Sequence, residues 1–204
     1  MSWKREILRE TPSQTAGPFV HIGLVPAQAG FEIFDKNFSS IVAPAGTPGE
    51  HIAIEGQVLD GSGAQIRDAL IEIWQADATG RYPRTAPREG EFRGWGRTGT
   101  AFDTGLYRFE TIKPGPVTGR VGKPAMAPHI SFWIVARGIN IGLQTRMYFA
   151  DEAAANQRDP VLAAIELDER RATLIAPRTI RDGKPIYTFD IIVQGERETV
   201  FFDI

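Results

Sequence analysis

Residues 52–63 read Ile52-Ala-Ile-Glu-Gly-Gln-Val-Leu-Asp-Gly-Ser-Gly63 and contain the pattern that decides the fold. Ile52, Ile54 and Val58 keep a spacing of two, which places them on one face of a β-strand. The strand pattern ends at the Asp-Gly-Ser-Gly sequence of residues 60–63, a strong hairpin-turn signal. This stretch therefore predicts a half-buried strand followed by a tight turn.

The same pattern of short apolar runs between Gly, Asp and Pro continues to the end of the chain. Further strands are predicted at 69–74, 105–109, 130–136, 142–149, 185–193 and 199–202. Helical signals are short and are confined to 151–156 and to 160–166, where Pro160 suits the first helical position. At least seven short strands separated by turns predict an all-β protein, an antiparallel β-sandwich with one or two short helices.

Residues 1–50 differ from the rest because turn formers are frequent and no period persists. We expect an extended N-terminal arm and loop segment over 1–50 that contacts a partner, followed by one β-sandwich domain over 51–204. A surface loop packed on its own domain is an equally weighted alternative. No repeat and no second domain boundary are visible.

Composition excludes several classes of function. The 204 residues include no Cys and three His, so disulfide frameworks and cysteine zinc sites are ruled out. A net charge of −2 gives no basic field for nucleic acid. The charged residues 1–10 carry no signal segment, and the longest apolar run, 130–136, is too short to cross a membrane. We therefore expect a cytoplasmic chain that binds neither nucleic acid nor membrane.

The central part of the chain carries the most informative motifs. They are Trp74-Gln-Ala-Asp-Ala-Thr-Gly-Arg-Tyr82, Arg93-Gly-Trp-Gly-Arg-Thr98, Thr111-Ile-Lys-Pro-Gly-Pro116 and Pro128-His-Ile-Ser-Phe132. Together with segments 11–24, 136–141 and 195–203, they make the chain resemble the intradiol ring-cleaving dioxygenases over nearly its whole length. Nucleotide-binding loops and the common hydrolase motifs are absent.

The resemblance implies a specific metal site in the active members of the family. Those chains bind ferric iron through two tyrosinates and two histidines, a donor set that suits a hard trication. The matching positions here are Tyr82, Val117, His129 and Ser131, so only two of the four ligands remain. The family also places an arginine three residues before the first histidine, where this sequence has Met126. We therefore expect a vestigial site, no metal and no catalytic residue in this chain.

The resemblance also implies a partner. Such a chain pairs with a related catalytic chain, the beta chain, which holds the Fe(III), and several such pairs assemble into a hetero-oligomer. The complex uses O₂ to open the ring of protocatechuate, whereas the isolated chain is expected to be inactive. The residues of this chain implied to line the shared substrate pocket are Thr15, Gly17, Pro18, Phe19 and Arg137. Phe19 departs from the tyrosine common in relatives and lacks its hydroxyl.

Three alternatives remain open from the sequence. In the first, the chain is a noncatalytic β-sandwich that acts as a binding module; this would not explain the motifs between residues 74 and 132. In the second, it is a self-sufficient intradiol enzyme, which Val117, Ser131 and Met126 oppose. For Arg137, an ion pair at the surface or at an interface is as well supported as a role with the substrate carboxylate.

Overall fold

The structure, a computed structural model, describes residues 14–34, 37, 39–119, 124–140 and 142–203. Strands fall into two sheets. The first sheet contains β1 (His51–Leu59), β4 (Leu106–Ile112), β8 (Arg178–Arg181), β9 (Lys184–Thr188) and β10 (Ile191–Ile192). The second contains β2 (Leu70–Gln75), β3 (Trp95–Gly99), β5 (His129–Val135), β6 (Leu143–Phe149) and β7 (Ile175–Ala176).

Apolar side chains from the two sheets meet in one core. Ile54 and Phe109 enter it from the first sheet, and Ile73, Phe132 and Phe149 enter it from the second. Each of these side chains is almost fully buried. Their alternation along the strands confirms the predicted β-sandwich.

Most of the strand pairs are antiparallel, as predicted, but the sheets are mixed. β1 runs parallel to β9 and β10, and β6 runs parallel to β7. The turn at residues 60–63 forms as predicted, and its Asp60 carboxylate accepts hydrogen bonds from the backbone N–H groups of Ser62 and Ala64. The chain then crosses to the second sheet after one bridge, Leu59 to Gln65, so β1 and β2 are not a hairpin.

Two strand predictions are corrected. The strand predicted at 185–193 is divided into β9 and β10. The Asp190 side chain accepts a hydrogen bond from the N–H of Gln57 and so interrupts the backbone pairing with β1. The segment predicted as a strand at 199–202 is not a strand. Its Thr199 N–H donates to Ile192 in the first sheet, whereas its Phe202 N–H donates to Gln144 in the second. The segment therefore crosses between sheets.

The helices are short. The predicted helix at 151–156 consists of a 3₁₀ turn, Ala150–Glu152, followed by α2 (Ala153–Asn156). The helix predicted at 160–166 is shorter than expected: α3 spans Pro160–Ala163 and is capped by Asp159. Two helices were not predicted: α1 (Val20–Leu24), within the arm, and α4 (Asp168–Ala172). None of the helices in the described ranges has the length and apolar character needed to cross a membrane.

Candidate functional site

The loop that follows β2 is held by Asp77. One carboxylate oxygen of Asp77 accepts hydrogen bonds from the N–H groups of Thr79 and Arg81 at 2.8 and 3.0 Å, and from the Thr79 hydroxyl at 2.7 Å. Burial by itself would raise the pKa of Asp77, but these donors outweigh burial and leave the pKa below its usual value. The ionised carboxylate therefore fixes the turn that leads into Tyr82.

A glycine lets this turn contact the segment before Val117. Gly80 has a φ of +80°, and a Cβ there would lie 2.0 Å from the carbonyl oxygen of Pro116. The N–H of Gly115 also donates to the carbonyl of Asp77 at 2.9 Å. Only glycine satisfies both the backbone conformation and the close approach. The chain thereby brings the loop of Tyr82 against the segment that leads to Val117.

His129 begins β5 and lies beside Tyr82. Its Nε2 is 3.5 Å from the Tyr82 hydroxyl oxygen, at the outer limit of a hydrogen bond. Its Nδ1 lies 2.7 Å from the carbonyl oxygen of Ala127, so Nδ1 carries the proton and Nε2 keeps its lone pair. His129 is 1% exposed, and this burial lowers its pKa. The two family ligands that remain in the sequence thus converge in space.

Tyr82 is positioned by an aromatic stack. Its ring lies 5.6 Å from that of Trp74, with an interplanar angle of 9°. Burial raises the pKa of the Tyr82 hydroxyl, and the positive charge of Arg146 opposes this shift. Trp74, predicted to serve core or interface packing, is exposed on one side and supports Tyr82 on the other.

The positions of the two missing ligands lie in the same corner. Ser131 is two residues after His129 in β5, on the same outward face. Val117 is buried and exchanges two backbone hydrogen bonds with Met126. The two methyl groups of Val117 stand where active chains have a phenolate, and the hydroxyl of Ser131 stands where they have an imidazole. The donor set therefore does not fit ferric iron, and within the described residues no group of three His, Cys, Asp or Glu could hold a metal.

A cation that sequence reasoning missed occupies this corner. Arg146 of β6 is directly opposite Ser131, and its Nη1 lies 3.4 Å from the sulfur of Met126. The guanidinium thus reaches the residue that stands where active chains have an arginine. In the sequence, Arg146 is visible only as an arginine within the predicted strand at 142–149. Its position beside Ser131 depends on the pairing of β5 with β6, which the sequence pattern does not give.

The arm and the loop after β5 form a second cluster. The Thr15 hydroxyl donates to the carbonyl of Ile139 at 2.9 Å and accepts from the N–H of Gly138 at 3.0 Å. The next residue, Ala16, forms a parallel bridge with Arg137. The contact between Thr15 and Ile139 joins residues 124 positions apart, so the arm and Arg137 occupy one surface. Residues 1–13, 35, 36 and 38 of the predicted arm lie outside the described residues.

The remaining predicted pocket residues are exposed on this surface. Gly17 and Pro18 are exposed, and Phe19 is 72% exposed where it precedes α1. The side chain of Arg137 is 64% exposed, and its Nε pairs with Asp68 at 2.9 Å. The surface ion pair weighed in the sequence analysis is thus present.

Comparison with known sequences identifies the relatives of this chain. The profile of a family described as Dioxygenase matches residues 34–195. The protocatechuate 3,4-dioxygenase alpha chain of Pseudomonas putida is 54% identical over 97% of this chain and 98% of its own length. The corresponding beta chain of Burkholderia cepacia is 33% identical over 81% of this chain and 74% of its own.

Comparison with solved structures agrees on the fold. The dioxygenase domain of a carbohydrate-binding fusion protein from Streptomyces sp. SirexAA-E superposes with a TM-score of 0.57. The match covers 83% of this chain and 95% of that domain at 23% identity. At this identity the likeness concerns the fold, and it supports the two-sheet sandwich described above.

Proposed function

The chain belongs to the intradiol ring-cleavage dioxygenase family and is of the alpha-chain type, and we propose that it acts as the noncatalytic partner of an iron-bearing beta chain. The pair cleaves protocatechuate with O₂ between the two hydroxylated carbons, and both oxygen atoms enter the product, 3-carboxy-cis,cis-muconate. Several alpha-beta pairs form the assembly, which works in the cytoplasm. This chain contributes structure and part of the pocket wall.

One observation carries this proposal: the hydrogen bonds of Thr15 to Gly138 and Ile139. They hold Thr15 against the loop that contains Arg137, and Gly17, Pro18 and Phe19 continue from that anchor as an exposed strip. None of these residues packs into the core of the sandwich. A strip of backbone, an aromatic ring and a guanidinium would suit one side of a pocket for a small aromatic acid.

The arm also presents an apolar surface for a partner. Among the described residues between 14 and 50, five large apolar side chains are exposed, namely Phe19, Phe31, Ile33, Phe34 and Ile41. Contiguous apolar surface on a soluble chain marks an interaction site when it exceeds a few hundred Å². Their concentration in the segment that precedes β1 supports the assignment of residues 1–50 as a partner-contacting arm, followed by the sandwich at 51–204.

Within the pair, Arg137 would provide charge for the substrate carboxylate. A guanidinium carries a positive charge and offers a planar fork of donors that matches a carboxylate. The Asp68 carboxylate contacts Nε of Arg137, whose side chain is nevertheless 64% exposed and accessible to a substrate. The beta chain would supply the ferric ion, since the donor set around Tyr82 does not suit it.

The two alternatives are less well supported. A self-sufficient intradiol enzyme needs a complete donor set, which Val117 and Ser131 do not provide. A binding module outside this family has no support from the relatives, which are dioxygenase chains.

Coexpression tests the proposal. The full chain, carrying an affinity tag, is produced with a beta chain that retains both tyrosines and both histidines. We expect a mixed complex that has ring-cleaving activity and an iron content that matches the amount of beta chain and not the total of both chains. A tagged chain that stays a soluble monomer and retains no beta chain would contradict the proposal, as would iron in proportion to both chains.

A further inference from the structure

Arg146 shares one face of the second sheet with the vestigial ligand positions. Residues directly opposite each other in antiparallel strands project to the same side of the sheet. Arg146 is opposite Ser131, and Trp74 is opposite Ser131 on the other edge of β5. His129 lies two residues away on that same face. The guanidinium therefore belongs to the corner in which Tyr82 and His129 meet.

The surroundings of the Arg146 guanidinium are neutral among the described residues. Within the part of the chain that the structure describes, no carboxylate lies at ion-pair distance from its guanidinium. Its neighbours are the sulfur of Met126 at 3.4 Å, the Tyr148 hydroxyl, and the ring of Phe202, whose centroid is 6.0 Å from Cζ. The Asp159 carboxylate, on the far side of the Tyr148 hydroxyl, accepts hydrogen bonds from that hydroxyl and from the N–H groups of Ala127, Val161 and Leu162.

Other arginines on these sheets form ion pairs with a glutamate. Arg97 pairs with Glu72 at 2.5 Å, and both Arg108 and Arg181 pair with Glu55. An unpaired guanidinium that is half-buried costs free energy, since desolvation is not compensated by an anion. Arg146 bears this cost in the corner where the active chains of the family bind a ferric ion.

We propose that the Arg146 guanidinium is a fixed cation that replaces the metal in this corner and excludes a metal ion even when the missing ligands are restored. A guanidinium and a ferric ion in the same few ångströms repel each other, and the low-dielectric surroundings of a buried site strengthen that repulsion. The loss of iron is then due to one added charge as well as two lost donors. This inference uses the family's ligand set and does not depend on the proposed partnership.

The test restores the donors with and without the charge. The full chain is prepared as Val117→Tyr/Ser131→His and as the same double variant with Arg146→Gln. Each is titrated with Fe(III) in the absence of a beta chain. Bound iron is measured by metal analysis and by the visible tyrosinate-to-iron absorption band. We expect the variant with Arg146→Gln to bind Fe(III) at least about tenfold more tightly, as like charges at this range shift equilibria by that order.

A matched control separates a local effect from a change in net charge. Arg181→Gln removes one exposed positive charge from β8, in the opposite sheet. Added to the double variant, it should leave iron affinity unchanged. Equal gains from Arg181→Gln and Arg146→Gln would overturn the proposal.

A second pair of variants protects the test against misfolding, because Val117 is buried. Ser131→His alone, with and without Arg146→Gln, leaves Val117 in place and still gives one tyrosine and two histidines. Circular dichroism and thermal unfolding check the fold. The same gain in Fe(III) affinity on Arg146→Gln is expected. Tight iron binding with Arg146 present, or no gain when it is removed in either pair, would overturn the proposal.

Discussion

The Tyr82 hydroxyl oxygen lies 3.5 Å from Nε2 of His129, and separate contacts hold each of the two groups in place. Tyr82 stacks on Trp74, and the Nδ1 of His129 donates to the carbonyl of Ala127. The two family ligand residues that this chain retains are therefore held side by side. Val117 and Ser131 stand at the other two ligand positions, and Arg146 lies directly opposite Ser131.

Without a beta chain, the purified wild-type chain should hold iron far below the stoichiometric amount. One phenolate and one imidazole leave Fe(III) mostly to water, and Val117 and Ser131 add no comparable donor. Metal analysis and the visible spectrum measure this, with an iron-bearing family member as the positive control. Stoichiometric iron together with a tyrosinate-to-iron band would show that the site is functional.

The apolar strands could be predicted from the sequence because alternate residues are buried. β1, β2 and β5 begin and end within one or two residues of the predicted positions. β3 and β8 lack that signal, since β3 is rich in glycine and every residue of β8 is exposed. Their place in the sheets depends on pairing with neighbours, which hydrophobic spacing does not encode.

The candidate site was predicted unevenly for a similar reason. Resemblance located Tyr82 and His129, and the structure brings them together. Arg146 was missed because its importance comes from the register between β5 and β6. The contact between Thr15 and the loop after β5 joins distant parts of the chain, and local sequence patterns carry no information on it.

Asp159 should be a strong determinant of stability. It is fully buried, caps α3 through the N–H groups of Val161 and Leu162, and accepts from Ala127 and the Tyr148 hydroxyl. Asp159→Ala should lower the free energy of unfolding by about 2–4 kcal/mol, since a cap is lost and buried donors are left without partners. Urea denaturation measures the change.

The control for this prediction is Asp168→Ala. Asp168 lies in the first turn of α4, and its side chain is 90% exposed with one ion pair to Arg171. Exposed pairs contribute little, so the loss should stay below about 1 kcal/mol. Equal losses in the two variants would show that the buried hydrogen bonds of Asp159 contribute no more than a surface pair.

Stability should depend on pH through Asp77. The pKa of this carboxyl is lower in the folded chain than its usual value, so its stabilising effect is complete above about pH 5 and is lost as the pH falls through the folded pKa. Asp77→Asn should therefore flatten the decline in stability on acidification. Thr79→Val, which removes one donor to Asp77, should flatten it in part. Thermal unfolding between about pH 5 and 3 measures the slope; an unchanged slope in Asp77→Asn would contradict this account.

Arg137 should discriminate between substrates in the assembled complex. Arg137→Gln should lower kcat/KM for protocatechuate about tenfold or more relative to catechol, because only protocatechuate carries the carboxylate. Asp68→Asn, which removes the ion-pair partner but keeps the guanidinium charge, should preserve the preference. If both substrates respond equally to Arg137→Gln, Arg137 serves as a surface ion pair alone.

Deletion of residues 1–19 tests the central claim most directly, because it removes the proposed pocket wall and leaves the partner's ligands untouched. The measurement is kcat/KM for protocatechuate in the assembled complex, with iron content and assembly determined on the same sample. We expect a fall of up to about 10²-fold with the iron of the beta chain retained, since a misplaced substrate loses reactivity on this scale. Unchanged kinetics in a fully assembled, iron-loaded complex would contradict it.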